Sequence, residues 1–210
     1  MTDFFEKSDI SRNDAEKIVS DTLKNTDDGE LYLENTKSEN IVLDDSKIKN
    51  SSYNSDVGYG LRAVTGEVIA YSHSNEISKN SLKNSSENLK STLKSKKGTY
   101  NHSIPKSNIK YYEDKNPLDD KSFSSKVKIL EEIDKYTRSK HPNIKQVTAN
   151  FLGEHKTVEI IRSGGEIISD IRPLVRFNVS VVVEKNGKKE TGVYGIGGRQ
   201  SYDDYLNNEN

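Results

Sequence analysis

The sequence predicts an α+β protein with two subdomains, each a helix with a mainly antiparallel sheet, joined by a polar linker. Residues 11–25 and 124–140 carry apolar side chains at helical spacing, and short apolar runs with strand character follow each of them. Asn186-Gly187 lies between two such runs and is a strong signal for a tight hairpin turn. The predicted bounds are 1–97 for the first domain, 98–120 for the linker and 121–210 for the second domain.

The first domain begins with an amphipathic helix. Ser11 is its predicted N-cap, and Ala15, Val19 and Leu23 lie on one face of a helix that ends near Asn25. After this helix, strands are expected at residues 31–34 and 39–43, with a short piece near 48–53. A hairpin of residues 57–64 and 68–71 follows, and then a helix over 76–96 with Ser74 as its cap.

Gly58 and Gly60 form a G-x-G pattern, which invites comparison with phosphate-binding loops. The pattern lacks the third glycine and the helix that must follow it at once. We therefore interpret both glycines as structural, permitting a bulge or a close backbone approach within a strand.

Residues 97–120 form the predicted linker, which has no periodicity and is longer than most loops. Lysines and tyrosines interleave there, a pattern that can stack on single-stranded nucleic acid. The pattern consists of Lys106, Lys110, Tyr111, Tyr112 and Lys115. Acidic neighbours cancel the local charge, and the whole chain has a formal net charge of −1. We therefore expect no nucleic-acid partner.

The second domain is expected to begin with a helix capped by Ser124 or Ser125 and closed by His141-Pro142. Two strands and the start of a third should follow, with a turn at Gly164-Gly165 and a corner at Arg172-Pro173. The Asn186-Gly187 hairpin and a short helix complete the domain. The predicted segments are 147–151, 158–162 and 167–168 for the strands, 174–183 and 191–194 for the hairpin, and 202–206 for the short helix.

Composition excludes several classes of site. The chain has no cysteine, so disulfides, thiolate catalysis and cysteine-ligated metals cannot occur in it. The first residues lack the features of a signal peptide, and no apolar run approaches the roughly 20 residues of a membrane helix. These features predict a cytoplasmic protein without a membrane partner.

No catalytic, cofactor-binding or metal-binding residue is predicted in this chain. The four histidines, His73, His102, His141 and His155, are scattered and lack the spacing of metal ligands. The run Gly195-Ile196-Gly197-Gly198-Arg199 offers backbone amides and a guanidinium to an anion. A flexible turn before the short helix explains the same run, and we favour that interpretation.

Several segments in order resemble the N-terminal half of the TldD/PmbA (TldE) zinc metallopeptidase family, and its TldD branch in particular. They are Asn116-Pro117-Leu118, KVKILEEIDKYTR at 126–138, KQVTANFLG at 145–153, DIRPLVRFNVSVVVE at 170–184, GIGGR at 195–199 and, upstream, residues 42–78. The resemblance covers about four fifths of the chain.

The resemblance implies a cytoplasmic peptidase that works on unfolded peptides together with a PmbA/TldE-type subunit. In the family the zinc ligands are an H-E-x-x-x-H helix and a cysteine, all C-terminal to the part seen here. Neither is present, so zinc is implied only for the full-length protein, and this chain is expected to be inactive alone.

Three explanations for the missing motif remain: a truncated or split gene product, an excised portion of an enzyme, or a non-catalytic protein that binds peptides or a partner. The end of the sequence favours truncation, because the last predicted helix stops without a C-cap. In any of these cases, open edges at residues 147–152 or 174–183 could pair with an extended peptide.

Overall fold

The structure is a computed structural model that describes residues 4–93, 98, 110–162 and 165–205. Within these residues the chain forms three α-helices, six strands and one 3-10 helix, which confirms the α+β class. The helices are α1 Arg12–Leu23, α2 Lys79–Thr92 and α3 Phe123–Ser139, and the 3-10 helix is Tyr202–Tyr205. The strands are β1 Asp28–Asp44, β2 Lys47–Thr65, β3 Val68–Ser74, β4 Ile144–Arg162, β5 Ile167–Lys185 and β6 Lys188–Gly198.

The strands form a sheet in the order β3-β2-β1-β4-β5-β6. The pairs β2/β3 and β5/β6 are antiparallel. The outer strands of the sheet are β3 and β6, whereas β4 and β5 each have a neighbour on both sides. The open edges predicted at residues 147–152 and 174–183 are therefore wrong, because those residues belong to the inner strands β4 and β5.

Several predicted strand breaks are also wrong. β1, β4 and β5 run for 17 to 19 residues each and continue through the polar stretches that suggested loops. The Arg172-Pro173 corner lies inside β5, and Pro173 precedes Val175, where pairing with β6 begins. Its missing N–H therefore costs no hydrogen bond to β6.

In the described residues, non-glycine residues with positive φ occur in two tight turns. Asn186 (φ 52°) and Gly187 (φ 78°) connect β5 to β6, as predicted. Asp45 (φ 51°) and Ser46 (φ 64°) connect β1 to β2 without a glycine. Their side chains bind α3: Asp45 pairs with Arg138, and Ser46 Oγ donates to Asp134 Oδ2 at 2.6 Å. These contacts stabilise a conformation that most residues avoid.

The helix caps only partly follow the predictions. Ser11 caps α1 and accepts a hydrogen bond from the Asp14 N–H at 3.2 Å, as expected. Ser78 rather than Ser74 caps α2, and Ser122 rather than Ser124 or Ser125 caps α3. Each true cap accepts the N–H three residues on, which is the geometry that satisfies a free donor of the first turn. The predicted end of α2 at residue 96 lies outside the described residues.

The chain divides into two compact units. Unit 1 comprises Met1–Asn35, Asp56–Ile109 and Thr157–Ile171, and unit 2 comprises Thr36–Ser55, Lys110–Lys156 and Arg172–Asn210. Because β1, β2, β4 and β5 each contribute residues to both units, the units are not contiguous in sequence. The bounds 1–97, 98–120 and 121–210 stay a prediction.

In unit 1, α1 and α2 pack on one face of their strands. Thr22 Oγ1 and Ser86 Oγ share a buried hydrogen bond of 2.6 Å between the two helices. The surrounding core contains buried aliphatic and aromatic side chains from both helices and from β1 to β3. Its members that are fully shielded from solvent include Ala15, Val19, Leu23, Leu61 and Ala63.

In unit 2, α3 covers the sheet with Leu130, which is fully buried. Leu130 belongs to a core with Phe151 and Phe177, whose rings meet edge to face with centroids 5.0 Å apart. The remaining members are Ile41, Leu43, Ala149, Val175 and Tyr202.

Asp44 links three strands of unit 2. Its Oδ1 accepts hydrogen bonds from Gln146 Nε2 at 2.8 Å and Thr148 Oγ1 at 2.7 Å, and its Oδ2 accepts one from Lys49 Nζ at 2.9 Å. Hydrogen bonds from Gln146, Lys49 and Thr148 hold the pKa of Asp44 well below its ordinary value. Asp44 is therefore ionised wherever the protein is folded near neutral pH.

We predict that Asp44→Asn lowers the free energy of unfolding at pH 7 by about 1 kcal/mol, because charge-assisted hydrogen bonds are lost. The folded pKa of Asp44 is depressed, so its stabilisation is present above the unfolded pKa of roughly 3.9 and is lost as the pH falls below it. The free energy of unfolding, measured with urea between pH 7 and pH 3, should therefore change less with pH in the variant than in the unsubstituted chain. Asp56→Asn, at an exposed position of β2, is the control, and an equal effect of both substitutions would refute the prediction.

Candidate functional site

The edge strand β6 is the most exposed element of unit 2. Val193 is 75% exposed and Tyr194 is 57% exposed, and as neighbours in a strand they lie on opposite faces. The charged residues Lys188, Lys189 and Glu190 lie at the turn end of β6, where they oppose uncontrolled strand pairing. Farther along, β6 offers a backbone edge with small and apolar side chains.

The apolar face of β5 extends beyond the core. Phe177 is buried, whereas Val179, Val181 and Val183 on the same face are half-buried. Tyr194 of β6 pairs with Val179 and lies on this face. The β5–β6 hairpin therefore presents an uncovered apolar strip beside an open strand edge, which is typical of a surface that contacts another polypeptide.

The sequence predicts a flexible turn for the Gly195–Arg199 run, and this prediction is wrong. Gly195 to Gly198 lie in β6 and pair with Val175 to Asn178 of β5. Glycine is required at Gly197, because a Cβ there would lie 2.2 Å from the Val175 carbonyl oxygen, and Gly198 makes room for the Tyr205 hydroxyl. The run therefore forms a strand end on which the 3-10 helix packs.

Arg199 lies beside a cleft of about 450 Å³. Its guanidinium carbon is 5.2 Å from the centroid of the Tyr112 ring, and its Nη1 donates to the Pro173 carbonyl at 3.1 Å. The cleft also contains the carboxylates of Glu113, Asp120 and Asp204. Because these acids outnumber the cationic Arg199 and Lys115, the cleft as a whole does not favour a free anion.

A cluster of three side chains lies next to this cleft in sequence, because its contacts include Leu118 and Tyr202, the neighbours of Pro117 and Ser201. Lys126 is 1% exposed; its Nζ forms an ion pair with Glu39 and donates to the Leu118 carbonyl at 2.7 Å. The Tyr202 hydroxyl donates to Glu39 Oε1 at 3.2 Å. Burial first, and then the charge of Glu39, raises the pKa of Tyr202, so the hydroxyl stays protonated and donates.

The Lys126 cluster, defined as Lys126, Glu39 and Tyr202, was not predicted from the sequence. A signal for it exists, because Lys126 precedes Leu130 by four residues and so lies on the apolar face of α3. Gly153 accommodates the cluster, since a Cβ there would lie 2.1 Å from the Tyr202 hydroxyl oxygen.

The histidines do not converge. His73 lies in β3 with its ring 5.7 Å from that of Tyr71, and His141 Nδ1 accepts a hydrogen bond from the Asn143 N–H at 3.1 Å. His155 lies within β4, and burial is the main cause that lowers its pKa. His102 lies outside the described residues. Among the residues that the structure describes, no three histidine or acidic side chains are grouped as metal ligands.

The glycines Gly58 and Gly60 permit a close approach, as predicted. A Cβ on Gly60 would lie 2.7 Å from the Tyr71 hydroxyl oxygen, and one on Gly58 would lie 2.8 Å from the Ser74 carbonyl oxygen. The β2–β3 pairing continues without a bulge from Tyr59 to Thr65.

In the described part of the chain, none of the helices is long and apolar enough to cross a membrane.

Two family profiles match the chain. Residues 29–95 match PmbA/TldA metallopeptidase domain 1, and residues 116–210 match the PmbA/TldA metallopeptidase central domain. Both profiles come from the same family, and they match in the order in which they are numbered.

Similar proteins carry the same family name. The chain is 33% identical over 184 residues to the metalloprotease TldD homolog of Buchnera aphidicola from Acyrthosiphon pisum, covering 87% of this chain and 38% of that protein. It is 34% identical over 186 residues to the homolog from Haemophilus influenzae, covering 86% and 38%. The chain thus spans about two fifths of the curated relatives it matches.

Solved structures share the fold. A protein described as a modulator of DNA gyrase from Bacteroides thetaiotaomicron aligns with a TM-score of 0.72 at 12% identity, covering 92% of this chain and 47% of that chain. TldE from Thermococcus kodakarensis aligns with a TM-score of 0.64 at 15% identity, covering 87% and 42%.

We predict that Lys126→Met lowers the free energy of unfolding by about 3 kcal/mol, because the Glu39 carboxylate, whose side chain is only 13% exposed, is left without its cation. Adding Glu39→Gln should recover at least about 1 kcal/mol, since the uncompensated charge is removed. Chemical denaturation at pH 7 measures both values. Lys128→Met, on the exposed side of α3, is the matched control. Additive effects of the Lys126 and Glu39 substitutions would show that the pair is not coupled.

Proposed function

The chain belongs to the PmbA/TldD metallopeptidase family, and on that premise we propose that it is the N-terminal portion of a TldD-like peptidase. The observation that supports this proposal most is the ordered match to domain 1 and the central domain, together with a span of about two fifths of its relatives. In this proposal the chain binds peptide and partner, and it does not perform the hydrolysis.

The proposed peptide-binding element is the open edge of β6. An extended peptide can add to such an edge through backbone hydrogen bonds, which require no particular side chains. The uncovered strip with Val179 and Tyr194 lies beside this edge and provides apolar contact. Pairing through the backbone suits a peptidase that acts on unfolded chains of varied sequence.

The proposed partner is a PmbA/TldE-type subunit, and the proposed location is the cytoplasm. Both follow from the family and apply to the whole protein. The zinc of the family does not fit the residues present here, because the chain has no cysteine and the described histidines lie far apart in the sequence, in different elements. We derive no chemical step from this chain.

A second candidate function is a binding module that captures peptides or a partner without any hydrolysis. The specific observation in its favour is that the same β6 edge and apolar strip serve binding whether or not a catalytic domain is attached. Peptide binding alone does not distinguish the two candidates. The two candidates are distinguished by mixing the chain with a PmbA/TldE-type subunit and a zinc-bearing TldD segment. Only the first candidate predicts that this mixture cleaves peptides.

We predict that the purified chain holds less than about 0.1 equivalent of zinc and does not cleave casein, because it supplies no ligand set for the metal. Elemental analysis after dialysis and a labelled-casein assay with and without chelator measure these quantities. One tightly bound zinc per chain, with cleavage that the chelator abolishes, would contradict the proposal. The control is the same analysis of a full-length family member.

We also predict that an extended peptide binds β6 along only one of its own backbone edges. Two isomeric peptides, N-methylated at alternate positions so that either the odd or the even amides are blocked, should therefore differ in affinity by about tenfold. Fluorescence anisotropy measures the two dissociation constants, with the unmethylated peptide as control. Equal weakening by both patterns would exclude strand addition.

A further inference from the structure

A separate cavity of about 280 Å³ lies in unit 1, on the face of β1, β2 and β3 that is opposite the core. Its volume matches one or two large side chains rather than a cofactor. The cavity, called here the tyrosine pocket, is lined by Tyr32, Glu34, Asp56, Val57, Gly58, Tyr59, Gly60, Tyr71, His73, Ser74 and Asn75.

The floor of the tyrosine pocket is formed by Gly58 and Gly60 of β2. The absence of side chains there lets Tyr71 lean across β2, with its hydroxyl oxygen 2.7 Å from the position that a Gly60 Cβ would take. Tyr71 is 64% exposed and stacks on His73, with ring centroids 5.7 Å apart. The Tyr71 ring therefore covers Gly60, and its exposed part remains accessible to a ligand.

The charged side chains of the tyrosine pocket are both acidic. Glu34 and Asp56 line it, and no lysine or arginine does. The Tyr32 hydroxyl donates to Glu34 Oε2 at 2.7 Å, which holds that carboxylate in place. Arg62 lies two residues beyond Gly60 in β2. Its Nε is 2.9 Å from Glu30 Oε1 and its Nη2 is 2.6 Å from Asp28 Oδ2, so two carboxylates outside the pocket balance its charge.

We propose that the tyrosine pocket binds the cationic side chain of a peptide, lysine or arginine. An ammonium or guanidinium group over a tyrosine face is attracted by the ring, and the two carboxylates add Coulomb attraction of the same sign. An acidic side chain is repelled there, and an aliphatic one gains only burial of apolar area. The inference rests on the proposed function in that the ligand is a peptide, but it does not involve β6.

The first test compares three blocked pentapeptides, Ac-Ala-Ala-X-Ala-Ala-NH2, in which X is lysine, norleucine or glutamate. Titrations followed by NMR on the labelled chain should give a dissociation constant for the lysine peptide about three- to tenfold lower than for the norleucine peptide. The glutamate peptide should bind more weakly than both. The largest shift changes are expected at Gly58 and Gly60. Equal affinity of the lysine and norleucine peptides would overturn the inference.

The second test locates the contact. Tyr71→Leu should reduce the preference for lysine over norleucine by about threefold, and Tyr71→Phe should retain it, because only the aromatic face is needed. Ile69→Leu is the matched control, since Ile69 is also 64% exposed on the same face of β3. Glu34→Gln should weaken lysine binding about threefold, whereas Glu67→Gln in the exposed β2–β3 turn should not. Equal losses in Glu34→Gln and Glu67→Gln would mean non-specific attraction and would overturn the inference.

Failure of this inference can be told apart from failure of the proposed function. Suppose that one N-methylation pattern weakens binding of the norleucine peptide more than the other, but that the lysine and norleucine peptides bind with equal affinity. The tyrosine pocket is then refuted, and peptide binding at β6 stands. If the lysine preference survives while both N-methylation patterns act equally, the tyrosine pocket stands and strand addition at β6 is refuted.

Discussion

One buried ammonium group, Lys126 Nζ, determines how unit 2 is assembled. It joins α3 to Glu39 of β1 and to the Leu118 carbonyl, while Tyr202 joins the 3-10 helix to the same carboxylate. A lone charge would be costly at such depth, so the ammonium requires its partners to be present together. The rings of Phe151 and Tyr202, at 5.5 and 5.6 Å from Nζ, complete its surroundings. Leu118 and Tyr202 are sequence neighbours of Pro117 and Ser201, which line the Arg199 cleft, so the cluster anchors two of the segments that form it.

Sequence patterns correctly predicted those features that depend only on residues close together in the chain. Ser11 and Asn186-Gly187 act through their own neighbouring backbone, and both predictions are confirmed. The length of β1, β4 and β5 has a non-local cause, because partner strands on both sides supply hydrogen bonds through polar stretches. Pro173 costs no hydrogen bond to β6 because pairing with β6 begins at Val175, a fact that no local pattern contains.

The candidate sites were less predictable than the fold, for the same physical reason. Gly58 and Gly60 are interpreted as structural from the sequence, but the groups that approach them, the Ser74 carbonyl and the Tyr71 side chain, are on another strand. The Gly195–Arg199 run was assigned to a turn because the contact that requires glycine, between Gly197 and the Val175 carbonyl, is made with the neighbouring strand. A glycine within a strand indicates that another group approaches its backbone closely. The register of the neighbouring strands is needed to identify that group.

The distribution of glycine also bears on what the chain can recognise. Four of the eleven residues of β6 are glycines, namely Gly192, Gly195, Gly197 and Gly198. Much of this edge therefore has no side chain that could contact a ligand. Backbone pairing at this edge does not depend on the side chains of the paired strand, which is consistent with the peptide binding proposed for β6. The tyrosine pocket works in the opposite way, because its glycines expose an aromatic face and two carboxylates that select for charge. Glycine thus serves the two surfaces differently: in β6 it removes side chains from a backbone edge, and in the tyrosine pocket Gly60 makes room for the ring of Tyr71.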